Sequence, residues 1–337
     1  MLKELTSLCG ISGNEDSVRQ YIKKAVEPYC DSIKEDVLGN LIAFKKGKIG
    51  RRVMLCAHMD EVGLIVSSVT EDGYLKFKTV GGIDPRILPG KRVLVGENKL
   101  PGVIGIKAVH LTTAEERKKT VPVEEMYIDI GAGWPLGEVV QPGDSIAFDS
   151  NYYEFGEGLV KAKALDDRAG CAALISLLQV NKQYPFDLYV CFLVQEEVGL
   201  RGAKVVAQTV QPDIAVVAET TTCSDTSGAA EHEMVTKLGD GPVVSVLDSA
   251  SYSDNALRVL LCSLADQNGL KVQVKRSTAG GNDAGALQLY GRGTRTVVLS
   301  LPCRYIHSPA SVISKADFET YCTLIQILID HLEDEIG

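Results

Sequence analysis

Between Gly63 and Gly156 the chain changes character, and this change limits its fold more than any other feature. Short apolar runs (GLIVSSV, YLKFKTV, RVLVG, GVIGI, YIDIG and DSIAF) alternate there with Gly, Pro and Asp turns, without the periodicity of a long helix. Strands of this kind bury themselves by pairing with one another, so the segment reads as a small all-β module. Its charge-dense stretch His110–Thr120 reads as a mobile loop. On either side, helix and strand patterns alternate. Residues 15–27 place Val18, Tyr21, Ile22, Ala25 and Val26 at helical spacing, with Ser12 and Glu15 at capping-box spacing and Pro28 as a limit. Runs 40–44 and 52–57 look like two strands joined by a hairpin turn over 45–51. Beyond Leu165 the spacing predicts a helix over 168–179, strands at 187–194 and 213–218, and a helix over 254–268 stopped by Gly269. A strand at 270–275, a short helix near 284–289, a strand at 295–301 and a C-terminal helix from about Lys315, capped by Ser314, complete the series. Strands alternating with helices imply a central, mostly parallel sheet, which the β module interrupts.

Composition removes several classes of function. A net charge of -9 argues against a nucleic-acid binder, which needs a basic face to release counterions. No apolar run approaches the ~20 residues of a membrane helix, and Met1–Gly13 lacks the basic and apolar regions of a signal peptide. The nine cysteines are odd in number and form no CxxC pair. Cys56, Cys171, Cys191 and Cys262 sit in apolar runs, as small buried hydrophobes do in a reducing compartment, so a cytoplasmic location is expected.

The polar residues that carry chemistry stand where apolar runs end, which is where open α/β sheets place their sites. RVMLCA leads into His58-Met59-Asp60, and YVCFLVQ into Glu196-Glu197. IAVVA leads into Glu219, VVLSLP into Arg304-Tyr305-Ile306-His307, and Asp166-Asp167-Arg168 precedes a helix. Each alone has an ordinary reading: a satisfied polar histidine, a helix cap with an ion pair, or a solvated turn. Five such segments delivered to one sheet edge point to a metal site. Its donors are nitrogen and oxygen without thiolate, which suits Zn, Co or Mn. Asp166, Glu197 and Glu219 bring three negative charges, and two divalent ions would leave the site at about +1, so that a water there ionises near neutral pH. Neighbouring extended residues point to opposite sides, so one of Glu196 and Glu197 can face a metal while the other faces the water. Asp60, two residues from His58, can accept the free imidazole N–H and fix the ring.

The motifs AHMDEVGLIV (57–66), ALDDRAGCAALI (164–175), VQEEVGLRGA (194–203), AETTTCSD (218–225), GGNDAGALQ (280–288) and RYIHSP (304–309) together resemble the tetrahedral (TET) and glutamyl aminopeptidases. These belong to the co-catalytic di-zinc metallopeptidases, some of which are labelled endoglucanase-like. GVIGIKAVH, ERKKT and YIDIGA follow in the same order, so the resemblance spans essentially the whole chain. It implies a three-layer α/β/α zinc-exopeptidase-like catalytic domain from residues 1–62 and 157–337, with a barrel-like dimerisation insert at 63–156. It also implies that His58 and Glu219 hold one metal, Glu197 and His307 the other, and that Asp166 bridges them. Glu196 would be the general base, Asp60 would orient His58, and the Asp166–Asp167 peptide would be cis. The implied activity is removal of N-terminal residues from peptides, by homo-oligomers in which dimers build a tetrahedral dodecamer. Two positions depart from the family: Glu219 stands where Asp is common, and Pro309-Ala310-Ser311 replaces the expected valine-glutamate.

Two other classes of function compete with this reading. A glycosidase would use paired carboxylates, but aromatics are only 6% with one tryptophan, Trp134, and both histidines would lack a role. A non-catalytic oligomeric scaffold would not need carboxylate or imidazole at every site position. His110, His232 and His331 read as surface residues, although the His110 loop could reach a neighbouring subunit's cleft.

Overall fold

A computed structural model describes residues 1–131 and 139–336 of the chain; Trp134 lies outside them. Strands β1 (Ser32–Glu35), β2 (Leu41–Lys45) and β3 (Arg52–His58) open the main sheet. Six strands follow: β4 (Gly63–Val69), β5 (Leu75–Val80), β6 (Arg92–Val95), β7 (Leu100–Gly105), β8 (Tyr127–Asp129) and β9 (Ser145–Phe148). They close into a barrel in the order β4-β5-β8-β7-β6-β9. Alternate side chains, among them Leu64, Val66, Phe77, Val93, Val95 and Phe148, fill its interior.

The remaining strands are β10 (Tyr153–Phe155), β11 (Leu159–Ala162), β12 (Asp187–Leu193), β13 (Ile214–Cys223), β14 (Val243–Val244), β15 (Gln273–Val274), β16 (Arg295–Arg304) and β17 (Ser311–Ser314). The main sheet runs β1-β2-β12-β3-β13-β16-β17-β11-β10, with β14 on β16 and β15 on β14. The central strands β12, β3, β13 and β16 are parallel. Helices α1 (Leu2–Ser7), α2 (Asp16–Val26), α3 (Leu165–Gln179), α4 (Arg201–Val210), α5 (Asn255–Gln267), α6 (Ala284–Gln288), α7 (Lys315–Asp330) and α8 (Glu333–Ile336) complete the chain.

Both faces of the sheet are covered, which is why its central strands read as unbroken apolar runs. Along β3, Val53, Leu55 and Ala57 join one core with α2, α3, α5 and α7. Met54 and Cys56, on the other face, join a second core with α4 and α6. Full burial of such side chains contributes roughly 1.5–3 kcal/mol each. The fold is therefore the expected three-layer α/β/α arrangement with an inserted all-β barrel. Among the described residues, no helix is long and apolar enough to cross a membrane.

Three local expectations need correction. Residues 40–44 and 52–57 do not form a hairpin: β12 lies between them, antiparallel to β2 and parallel to β3. Two apolar runs with a turn between them carry no signal for a third strand inserted from far along the chain. Ser12 does not cap α2; its hydroxyl donates to Asp60 Oδ2 at 2.6 Å, and Glu15 is the N-cap residue. The strand expected over 270–275 shrinks to Gln273–Val274, while Asp254 and Ser314 cap α5 and α7, accepting from Leu257 N and Asp317 N.

Candidate metal centre

The C-terminal ends of the parallel strands converge on a pocket of about 480 Å³. His58 is the last residue of β3, and Glu196 and Glu197 form the turn after β12. Glu219 lies within β13, Asp166 in the first turn of α3, and His307 in the loop after β16. All six line the pocket. The Glu196–Glu197 turn is tight: Gln195 adopts φ +56°, and Gly199 N and Leu200 N both donate to Glu196 O at 2.9 Å. It leads into α4, whose Gly202 packs on the end of β12 so closely that a Cβ would collide with Asn40 Oδ1 and Val194 O.

Asp166 lies between the two histidines. Its Oδ1 is 3.4 Å from His58 Nε2, and its Oδ2 is 3.2 Å from His307 Nε2. Each imidazole has a second carboxylate beside it: Glu219 Oε1 at 3.5 Å from His58 Nε2, and Glu197 Oε1 at 3.4 Å from His307 Nε2. Asp166 Oδ1 is buried without a hydrogen-bond partner, as expected of an atom suited to a cation. Ligand atoms of His58, Asp166 and Glu197 come together in one group, and those of His58, Asp167 and Glu219 in another. Asp167 is the weaker candidate of these, because its oxygens already accept from His58 N (3.3 Å), Gly170 N (3.0 Å) and Thr220 Oγ1 (3.2 Å). The Asp166–Asp167 peptide is cis.

The ring nitrogens opposite the cluster are also held. His307 Nδ1 lies 2.8 Å from the carbonyl of Gly82, in the loop after barrel strand β5. His58 Nδ1 is 3.1 Å from the main-chain oxygen of Asp60 and 3.4 Å from its carboxylate. That carboxylate also accepts from Ser12 Oγ, from Glu196 N at 3.0 Å and from Glu197 N at 3.2 Å. Asp60 thus ties the His58 segment to the turn that carries both glutamates.

Electrostatically the site is an excess of buried acid. Burial raises the Glu197 carboxyl to about 8, with Asp166 adding to the rise and His307 opposing it. Burial likewise lifts Glu196 well above the carboxylate range, against the pull of His58. Burial works against the charged form of His307, yet Asp166 and Glu197 hold the ring at about 9. Every one of these shifts favours added positive charge, from protons or from metal ions. The donor set fits divalent cations that accept nitrogen and oxygen.

Sequence reasoning missed Asp167, the Ser12 and Gly82 contacts, and Asp283. Asp283 is buried, its Oδ1 has no hydrogen-bond partner, and burial raises it to about 8. The motif GGNDAG was visible, but it carried no imidazole or paired acid to suggest a role. His110, His232 and His331 are exposed and stand apart from the cluster.

The sequence profile of the M42 glutamyl aminopeptidases matches residues 39–324. The chain is 30% identical to the glutamyl aminopeptidase of Lactococcus lactis, covering 99% of this chain and 96% of that one. It is 28% identical to the lysyl aminopeptidase of Pyrococcus furiosus, covering 99% and 97%. The structure of a TET aminopeptidase from a marine sediment Thaumarchaeota archaeon superposes with a TM-score of 0.95 at 35% identity, covering 99% and 96%. Sequence profile, fold and the acidic pocket at the sheet edge agree, and the chain belongs to the M42 family of aminopeptidases.

Proposed function

We propose that the chain is a metal-dependent aminopeptidase that works with two divalent ions, Zn, Co or Mn. The observation that carries this reading is Asp166, set between two imidazoles with a buried oxygen lacking a hydrogen-bond partner. His58 and Glu219 would hold one ion and Glu197 and His307 the other, with Asp166 between them. Bound there, the ions would polarise the scissile carbonyl and lower the pKa of a water. Glu196 faces the same pocket. Its role is to take the proton of the attacking water and return it to the leaving amine. Asp60 holds His58 and the Glu196–Glu197 turn in register through the contacts described above. The acid excess also suits the ammonium of a substrate's N-terminus.

The proposed assembly is a homo-oligomer, with residues 63–156 as a dimerisation insert and dimers building a tetrahedral dodecamer. Exposed apolar side chains support it: Val109 and Leu111 in the 108–120 loop, and Tyr153 and Phe155 on the edge strand β10. A monomer by light scattering would exclude this assembly. A cytoplasmic location accords with nine unpaired cysteines.

The activity test is a panel of aminoacyl-chromophore substrates assayed after chelation and after return of Zn, Co or Mn, with elemental analysis alongside. The expected result is about two metals per active chain, loss of activity on chelation and recovery on reloading. Full activity in a chelated, metal-free protein would overturn the metal reading. Glucan hydrolysis without peptidase activity would favour a glycosidase.

A further inference from the structure

The pocket at the metal centre has a neighbour. A second cavity of about 440 Å³ shares Gly82, Ile306 and His307 with it, so the two meet across the contact between His307 Nδ1 and Gly82 O. One wall of this second cavity comes from the loop between barrel strands β5 and β6, in Gly82, Asp84, Ile87 and Lys91. The other is the loop after β16, residues 305–310.

Hydrogen bonds hold both walls. Lys91 N donates to Leu88 O at 3.1 Å, and Lys91 O accepts from Ile104 N at 2.9 Å. Opposite, Tyr305 O accepts from the hydroxyls of Ser308 at 2.5 Å and Ser311 at 3.2 Å, and Pro309 O accepts from Ser150 Oγ at 2.5 Å. Tyr305 takes φ +56° in this loop, which is uncommon for a tyrosine, and is left 54% exposed.

The charge in the second cavity is one-sided. Asp84, the one acid among its described lining residues, is already matched by the Arg86 guanidinium at 2.5 Å. Lys91 is half-buried and has no carboxylate partner among the described residues. Close behind the wall, Lys161 Nζ donates to Ser150 Oγ and Asn151 O. Burial lowers the pKa of Lys161, and the charge of Lys91 adds to the fall. Two ammonium groups thus share one region, an arrangement that an anion relieves.

An aminopeptidase places the first residue and the cleaved bond at the metals, so the rest of the peptide must lead away from them. Two extended residues span ~7 Å, which a space of this volume holds. Ile87, Tyr305, Ile306 and Pro309 offer them apolar cover. The middle of a long chain brings no backbone charge to Lys91, whereas a free C-terminus brings a carboxylate. We propose that the second cavity receives the two residues after the cleaved bond, and that Lys91 binds their C-terminal carboxylate, so that tripeptides are the preferred substrates. The direction of the peptide rests on the aminopeptidase reading; its capture by Lys91 does not require hydrolysis.

The test uses a tripeptide and its C-terminal amide, both beginning with the residue that a p-nitroanilide panel shows to be preferred. On the metal-loaded wild type, kcat/KM is expected to favour the free acid about tenfold, the size of one hydrogen bond between charged groups. Lys91→Arg should keep that order, Lys91→Met should erase it, and Lys91→Glu should reverse it, with the change mainly in KM. Reversal is an outcome that a loosened loop would not produce. Calorimetry on Glu196→Gln, with and without Lys91→Met, should show the same discrimination in Kd. Equal kcat/KM for acid and amide in the wild type overturns the proposal. So does a ratio unmoved by Lys91→Met and Lys91→Glu, or an equal loss on tripeptide and p-nitroanilide, either of which leaves Lys91 as a support of the barrel loop. Cleavage without discrimination defeats this proposal alone. Discrimination in binding without cleavage of any substrate defeats the aminopeptidase reading alone, and the absence of both defeats the two together.

Discussion

Two groups of buried charges lie only a few residues apart, and they are built on opposite plans. In the first, Glu61, Lys163 and Arg168 are each at most 3% exposed. Lys163 Nζ donates to Glu61 Oε1 at 2.6 Å and to Leu8 O at 2.7 Å. Arg168 donates to Met59 O and Leu5 O at 2.6 Å and to Gly10 O at 3.3 Å. Each charge there meets a partner. In the second, around His58, the carboxylates outnumber the imidazoles, and buried oxygens of Asp166 and Asp283 lack partners. Burial alone does not mark a site: the fully partnered group fastens the N-terminal segment to the sheet edge, while the one with excess, unpartnered acid is left able to receive cations.

This contrast can be broken at four places. The largest effect belongs to Glu196→Gln, which keeps the shape of the acid group and removes the base. Turnover is expected to fall ~10²–10⁴-fold with metal content near wild type. Glu197→Gln should instead release metal, and the reverse pattern of metal content would exchange the two roles. Next is Arg168→Met in the partnered group. It removes three charge-assisted bonds to carbonyl oxygens and leaves Glu61 to Lys163 alone, so unfolding in urea should show a loss of about 3–5 kcal/mol. A loss below ~1 kcal/mol would mean that the network is not what fastens the N-terminal segment.

Asp60→Asn comes third, because Asp60 acts through other groups. Metal affinity or activity should fall ~10–100-fold, as for other residues that orient ligands. Unchanged affinity and activity would remove Asp60 from the positioning of His58. The smallest effect concerns Glu15, whose Oε1 accepts from Gly13 N at 2.6 Å and from Gln195 N at 3.2 Å. Burial raises its carboxyl from 4.5 to about 7, with Asp60 adding to the rise. A raised folded-state pKa means that the folded chain binds the extra proton more tightly. The stability it contributes is complete below pH 4.5 and is lost as pH climbs through about 7. Glu15→Gln avoids that loss, so its advantage in denaturant titrations should grow from pH 5 to 8, by on the order of 1–2 kcal/mol. A variant no more stable than wild type at pH 8 would contradict this.

Much of the architecture was legible because burial on both faces leaves runs such as RVMLCA and YVCFLV, and because the β module lacks helical periodicity. The seven polar residues singled out do meet at one sheet edge, since strand ends are readable from where apolar runs stop. Pairing partners were less legible. Nothing in residues 40–58 announces that β12 separates β2 from β3, because a parallel neighbour leaves no local turn signal. Ser12 fitted a cap by spacing alone, yet it bonds Asp60, a contact across 48 residues. Asp167 and Asp283 escaped notice for a related reason: a buried carboxylate is conspicuous only once its surroundings are known.

The order of strands also sets a timetable for making the protein. When β3 leaves the ribosome, both of its eventual neighbours, β12 at 187–193 and β13 at 214–223, are still unmade. The barrel strands are complete by residue 148 and, among the described residues, pair only with one another, and even their longest pairing, Leu64 with Ile146, closes a shorter loop than Arg52 with Asp187 or Val53 with Ile214. The inserted module is therefore the first part of the nascent chain with a full set of partners. The segment carrying His58 waits as an unpaired strand until sequence far downstream arrives, and that interval is when the chain most needs protection from aggregation.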